Sequence, residues 1–181
     1  SEIMPSLNNI TWDRVERETA VTYPCAAPDQ PRNEIVFAES FPTESGRGKL
    51  VGADIIPPAE MPDEEYPMIL TTGRQLEHWH TGAITRRASI LDALEPEAIA
   101  QLNYSDLKRL GIEAGEMVRI ETRRGVIELK ARVDRAIPEG VLFVPFCYAE
   151  APANFLTNPQ LDPYGKIPEF KFCAARIEKA N

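Results

Sequence analysis

The 181-residue chain has little cysteine, little histidine and no excess of positive charge, and each shortage narrows what it can do. Its three cysteines, Cys25, Cys147 and Cys173, stand far apart with no CxxC pair. Such an odd, scattered set provides neither a disulfide framework nor a thiolate cluster for zinc or iron–sulfur. Buried, idle thiols in a reducing, cytoplasmic setting are expected. Twenty Lys and Arg against 28 Asp and Glu leave a net charge of −8, which disfavours a nucleic-acid partner, because phosphate-backbone binding depends on clustered cations. No apolar run approaches the roughly 20 residues of a membrane-spanning helix. The first five residues, Ser1 to Pro5, lack a basic stretch followed by an apolar one. No secretory leader is expected, and the chain reads as a piece of something longer. The signatures GxGxxG, GxxxxGK[ST] and GxSxG are all missing. A nucleotide would therefore have to be held by scattered loops, and no catalytic nucleophile or metal ligand set stands out.

What is present falls into two textures. Half of the 16 prolines lie before residue 66, with Gly46, Gly48 and Gly52 in a polar stretch. Residues 1–63 are thus expected to be an irregular lead or linker from a preceding domain, with one short helix from Thr11 as N-cap to Glu18. Residues 64–181 read as the structured module. Pro67–Thr72 is a short apolar run ended by Gly73, the form of a buried strand that delivers a loop. Ala98–Asn103 reads as a second strand, followed by Ser105 capping a helix over Asp106–Leu110 that stops at Gly111. Val118, Ile120 and Thr122 alternate with charged residues, as do Ile127, Leu129, Ala131 and Val133, which makes a half-buried hairpin around Gly125. Arg123 and Arg124 then sit at its solvated end. Val141–Phe146 is apolar on both faces and reads as a central strand that loses regular pairing at Pro145. Phe172–Ile177 supplies the last strand. This pattern predicts a mostly β, α+β fold with short helices, closed or nearly closed into a barrel.

The only histidines, His78 and His80, bracket Trp79. In an extended segment both rings would face one side. Zinc takes three or four protein ligands, and no Cys or clustered carboxylate lies near them in sequence, so hydrogen bonding to a ligand or to the protein is the better reading. Thr72, Gly73 and Arg74, at the carboxyl end of the first strand, suit an anion: a hydroxyl, close backbone approach and a guanidinium fork. A plain turn would use the same residues.

The order and spacing of Tyr66–Arg74, His78–Thr85, Leu110-Gly111-Ile112, Gly115–Val118 and Asn158–Lys171 resemble the C-terminal molybdopterin dinucleotide-binding domain of molybdenum or tungsten formate dehydrogenases. Phe41–Arg47 is similar to a stretch that precedes this domain in the same enzymes. The resemblance implies a six-stranded double-psi β-barrel over residues 64–181, behind a long irregular extension. It implies two copies of molybdopterin guanine dinucleotide carrying Mo or W, serving two-electron oxidation of formate to carbon dioxide, with NAD as the linked acceptor. Thr72, Gly73, Arg74 and Gln75 would lie along the pterin and phosphates, with His78, His80 and Thr81 hydrogen-bonding beside them. Asn154, Phe170 and Lys171 would close from the tail. The resemblance also places the metal ligand, the substrate-orienting residues and the iron–sulfur cysteines upstream, so no catalytic residue is expected in this fragment, which alone should be inert. Its partners would be the remaining domains of the same polypeptide and electron-transfer subunits. Two other readings compete: the equivalent domain of a nitrate or sulfoxide reductase, and a free-standing barrel used for interaction or chaperoning. An aspartate-decarboxylase-like barrel lacks its Gly-Ser processing site here.

Overall fold

The computed structural model describes residues 2–31 and 35–180; residues 1, 32–34 and 181 lie outside that description. It comprises two compact units, Ser1–Ile55 and Ile56–Asn181.

In the first unit, helix α1 spans Trp12–Glu18, and the Thr11 hydroxyl accepts the Arg14 amide at 3.3 Å, the cap expected from sequence. Arg14 is only 4% exposed. Its guanidinium donates to the carbonyls of Asn9, Ala27 and Gln30 and to Cys25 Sγ. A loop-rich segment with few apolar side chains to bury is thus organised around one fork of fixed donors.

The second unit is mostly β. Strands β1 (Met68–Gly73), β2 (Ile99–Leu102), β3 (Met117–Glu121), β4 (Val126–Val133), β5 (Val141–Pro145) and β6 (Cys173–Lys179) close into a barrel in the order β1-β5-β2-β4-β3-β6. The six-stranded barrel expected from the sequence is therefore present. The alternation read in β3 and β4 is the alternation observed: Val118 pairs with Leu129 and Ile120 with Ile127, all four side chains buried. Each such aliphatic side chain contributes about 1.5–3 kcal/mol when removed from water. The hairpin closes through the Thr122 amide on Gly125 O. A side chain at Gly125 would meet the Phe155 carbonyl oxygen at 2.8 Å, so glycine is required there by close backbone approach.

Three local expectations need correction. Helix α3 spans Tyr104–Leu110 and is capped by Asn103, not Ser105. The Asn103 carboxamide oxygen accepts the Ser105 amide at 2.9 Å while its Nδ2 donates to Ile137 O at 2.9 Å, a tertiary tie that starts the helix earlier. A further helix, α2 (Ser89–Leu94), lies in the β1–β2 connection, where none was expected. Arg123 and Arg124 do stand at the hairpin end, but they are not merely solvated. Arg124 pairs with Glu60 at 2.5 Å and donates to Leu156 O. Arg123 pairs with Glu60 and Asp63 and covers the Tyr66 ring at 4.5 Å. Together they fasten the segment before β1 to the barrel.

Candidate functional site

Strands β1 and β5 run parallel, with Thr72 opposite Val144 and Gly73 opposite Pro145. Parallel neighbours cannot be joined by a tight hairpin, so each is followed by a long connection. Both connections, residues 74–98 and 146–172, therefore leave from one rim. β6 pairs antiparallel to β1, Leu70 opposite Cys173, so the tail also re-enters the barrel at that rim.

The tail is stapled to the end of β1. The buried Thr72 hydroxyl donates to Phe170 O at 2.7 Å, and Lys171 Nζ donates to Thr72 O at 2.5 Å. The Lys171 ammonium lies 5.1 Å from the Phe170 ring centre and 5.7 Å from that of Phe146. Gly73 has a packing reason of its own: a side chain there would meet the Phe143 ring at 2.3 Å.

Beyond Gly73 the chain turns instead of extending. Gln75 and His78 form an isolated bridge, His80 adopts φ +50° and Gly82 φ +73°. A side chain at Gly82 would strike the Cys147 carbonyl oxygen at 2.7 Å. The two histidine rings consequently do not share one side, as an extended segment would require. His78 is 1% exposed, while His80 is exposed. His78 Nε2 lies 2.8 Å from Glu95 O, and the buried Nδ1 has no hydrogen-bond partner. Because a carbonyl oxygen can only accept, Nε2 carries the proton. His80 Nε2 lies 3.2 Å from Arg74 Nη2, a group that can only donate, so this nitrogen offers its lone pair. The Arg74 guanidinium also covers the Trp79 ring at 5.4 Å.

A layer of side chains behind the loop fixes it to the barrel. Tyr148 donates to Glu95 O at 3.1 Å and meets the His78 ring edge-on at 5.8 Å. Burial pushes the Tyr148 phenol up, which keeps it a donor at ordinary pH. The Glu95 carboxylate takes both terminal nitrogens of Arg132, at 2.9 and 2.8 Å. Arg86 covers the Tyr148 ring at 4.8 Å and pairs with Asp92 and Glu150. Burial also raises the neighbouring Cys147 thiol, to about 11, so it stays protonated and unreactive near neutrality.

Of the residues singled out from sequence, Thr72, Phe170 and Lys171 meet directly, with Gly73 next to Thr72 in the chain. Arg74 and Gln75 continue from them and line a groove with Trp79, at whose back His78 stands. Thr81 and Asn154 line a separate cleft of about 140 Å³ with Phe146 and Tyr148. That cleft reaches the tail through Phe146, the ring beside Lys171. Sequence reasoning missed Glu95, Tyr148, Arg86, Asn158 and Glu169; Tyr148, Arg86 and Glu169 each have a partner more than fifty residues away. Only Asn158 and Glu169 stood in a stretch that the resemblance had marked.

Residues 68–174 match the family described as molydopterin dinucleotide binding domain. An F420-dependent formate dehydrogenase subunit alpha from Methanocaldococcus jannaschii is 40% identical over 178 residues, covering 98% of this chain and 26% of the relative. A periplasmic nitrate reductase from Desulfovibrio desulfuricans is 32% identical over 186 residues, covering 94% of this chain and 25% of the relative. The chain thus spans about a quarter of the length of the curated relatives it matches. Among solved structures, acetylene hydratase from Pelobacter acetylenicus superposes with a TM-score of 0.59 at 25% identity, over 65% of this chain and 19% of that one. With the family's match running over more than half of its length and onto the barrel itself, the chain belongs to the molydopterin dinucleotide binding domain family.

Proposed function

We propose that the rim formed by β1, β5 and the tail holds a molybdopterin guanine dinucleotide, one of two that carry Mo or W, in a formate dehydrogenase. The observation that carries this reading is a charge imbalance. Most arginines of the barrel are matched with carboxylates, Arg86, Arg119, Arg123, Arg124, Arg132 and Arg176 among them. Arg74 and Lys171, two residues after Thr72 and bonded to its carbonyl, have no carboxylate partner among the described residues. Two unmatched cations beside exposed neutral hydrogen-bonding groups fit a ligand with several phosphate oxygens and polar ring edges. Arg74 offers a fork to phosphate, Lys171 a point charge, and Gln75, His80, Thr81 and Asn154 neutral contacts. Thr72, Gly73 and Phe170 set the shape of the closure. His78 holds the loop from behind, its Nε2 spent on Glu95 O.

When bound, the cofactor supplies the two-electron oxidation of formate to carbon dioxide. This domain supplies binding and orientation, and we assign it no catalytic residue. Residues 1–63 are proposed as a lead from a preceding domain and 64–181 as the module, with the rest of the polypeptide and electron-transfer subunits as partners. Iron–sulfur clusters would belong to the upstream part. A cytoplasmic setting is proposed on the strength of three free thiols; among the described residues no helix is long and apolar enough to cross a membrane.

NAD, the acceptor expected from sequence, finds no support in the relatives. The formate dehydrogenase relative is named for F420 dependence, and F420 is the acceptor proposed here. The nitrate reductase relative favours a second reading, the equivalent domain of a nitrate-reducing enzyme. Assay of the full-length protein separates them: formate-dependent reduction of F420 is expected. Reduction of NAD alone would overturn the acceptor, and nitrate reduction without formate oxidation would overturn the first reading. The near-complete coverage of this chain by multidomain relatives argues against a free-standing chaperone barrel.

A further inference from the structure

The segment before β1 and the tail meet at one carboxylate. Glu169 accepts the Ala59 amide at 3.3 Å on Oε1 and 3.2 Å on Oε2. Its Oε2 also accepts from Asn158 Nδ2 at 3.1 Å. Asn158 is 5% exposed; the same Nδ2 reaches Phe172 O at 3.1 Å, and Oδ1 accepts the Gln160 amide at 3.0 Å. The Glu169 amide donates to Gln160 O at 2.9 Å. Side chain and backbone of Glu169 are therefore both held, and the next two residues are those that close on Thr72. No Lys or Arg among the described residues pairs with this carboxylate. Glu60 and Asp63, in the same segment before β1, are by contrast matched with arginines. The Glu169 carboxylate thus acts as an acceptor for neutral N–H groups, a role that depends on geometry more than on charge pairing.

We propose that Glu169 is a positioning residue: by joining Ala59 to Asn158 it presets the Phe170–Lys171 closure on Thr72, so that the segment entering the barrel governs how firmly the rim is shut. Its consequence for cofactor retention rests on the function proposed above; the mechanical coupling does not.

The test uses the full-length protein, with amide exchange read at Ala59, Glu169 and Phe170 and cofactor content read as metal and released nucleotide. Glu169→Ala speeds exchange at all three amides, by about fivefold to tenfold, and lowers cofactor content. Glu169→Gln keeps an acceptor for the Ala59 amide and restores most of both. In a Lys171→Ala background, Glu169→Ala causes no further loss of cofactor, because it acts through that lysine. Unchanged exchange at Phe170 in Glu169→Ala, or additive losses in the double variant, would overturn the proposal. Should Glu169→Ala fail to accumulate, Glu169→Asp serves. It keeps the charge but is too short to bridge both donors, and wild-type exchange at Phe170 in that variant counts against the coupling in the same way. Faster exchange at Phe170 together with full cofactor content in Lys171→Ala would uphold the coupling and sink the cofactor reading of the rim.

Discussion

Lys171, two residues before β6 and beside the end of its neighbour β1, donates to the Thr72 carbonyl at 2.5 Å, while the Thr72 hydroxyl donates to Phe170 O at 2.7 Å. Residues ninety-nine positions apart are thus closed into one ring by two reciprocal contacts. That ring joins the end of β1 to the tail at the rim.

Gly73→Ala inserts a methyl group where the Phe143 ring lies 2.3 Å away. Overpacking of this kind costs about 1–3 kcal/mol. Denaturant unfolding of the full-length protein is expected to show that loss, and adding Phe143→Leu is expected to recover part of it. A neutral Gly73→Ala would mean that the ring is free to move aside.

His78 and Tyr148 both donate to Glu95 O. Tyr148→Phe alone leaves that carbonyl one donor and is expected to cost about 1 kcal/mol; His78→Ala is expected to cost about 1–3 kcal/mol through lost packing and one hydrogen bond. The double variant is expected to cost more than the sum, since a half-buried carbonyl then has no side-chain donor. Strict additivity in a double-mutant cycle would show that the two do not share the acceptor.

Asp162 organises the tip of the tail. Its carboxylate accepts the amides of Ile167, Gly165 and Tyr164, and these hydrogen bonds, that of Ile167 first, hold it below the usual carboxylate range. A depressed native value means that the contribution is fully present above the unfolded value, about 3.9, and is lost as pH falls through the native one. Protection of the Gly165 and Ile167 amides, taken relative to the intrinsic exchange rate at each pH, is expected to fall only below about pH 4. Asp162→Asn is expected to flatten that dependence; an identical acid profile in the variant would assign the step to another group.

The parts of the fold that were legible are those where a local period had one solution. The alternation from Val118 to Val133 permits only a half-buried hairpin, and Val141–Val144, apolar on both faces, only an interior strand. Helix α2 and the Asn103 cap were not legible, because Asn103 is chosen by its bond to Ile137, thirty-four residues away. The histidine pair was misread for a similar reason. Its geometry follows from the Gln75–His78 bridge and the positive φ of His80, which no period in the sequence records. Thr72 and Arg74 are legible as an anion-suited strand end, and Lys171 only through the resemblance. Their convergence is explained by the parallel pairing of β1 with β5, a register no single segment encodes.

The most direct measurement is the metal and dinucleotide content of full-length protein carrying Arg74→Ala and Lys171→Ala, singly and together. The exposed helix variant Lys108→Ala serves as control. Each charge-assisted contact is worth about 1.5–3 kcal/mol, so content is expected to fall in each rim variant and to be nearly abolished in the pair, with the control unaffected. Wild-type content in the double variant would contradict the assignment of this rim to the cofactor.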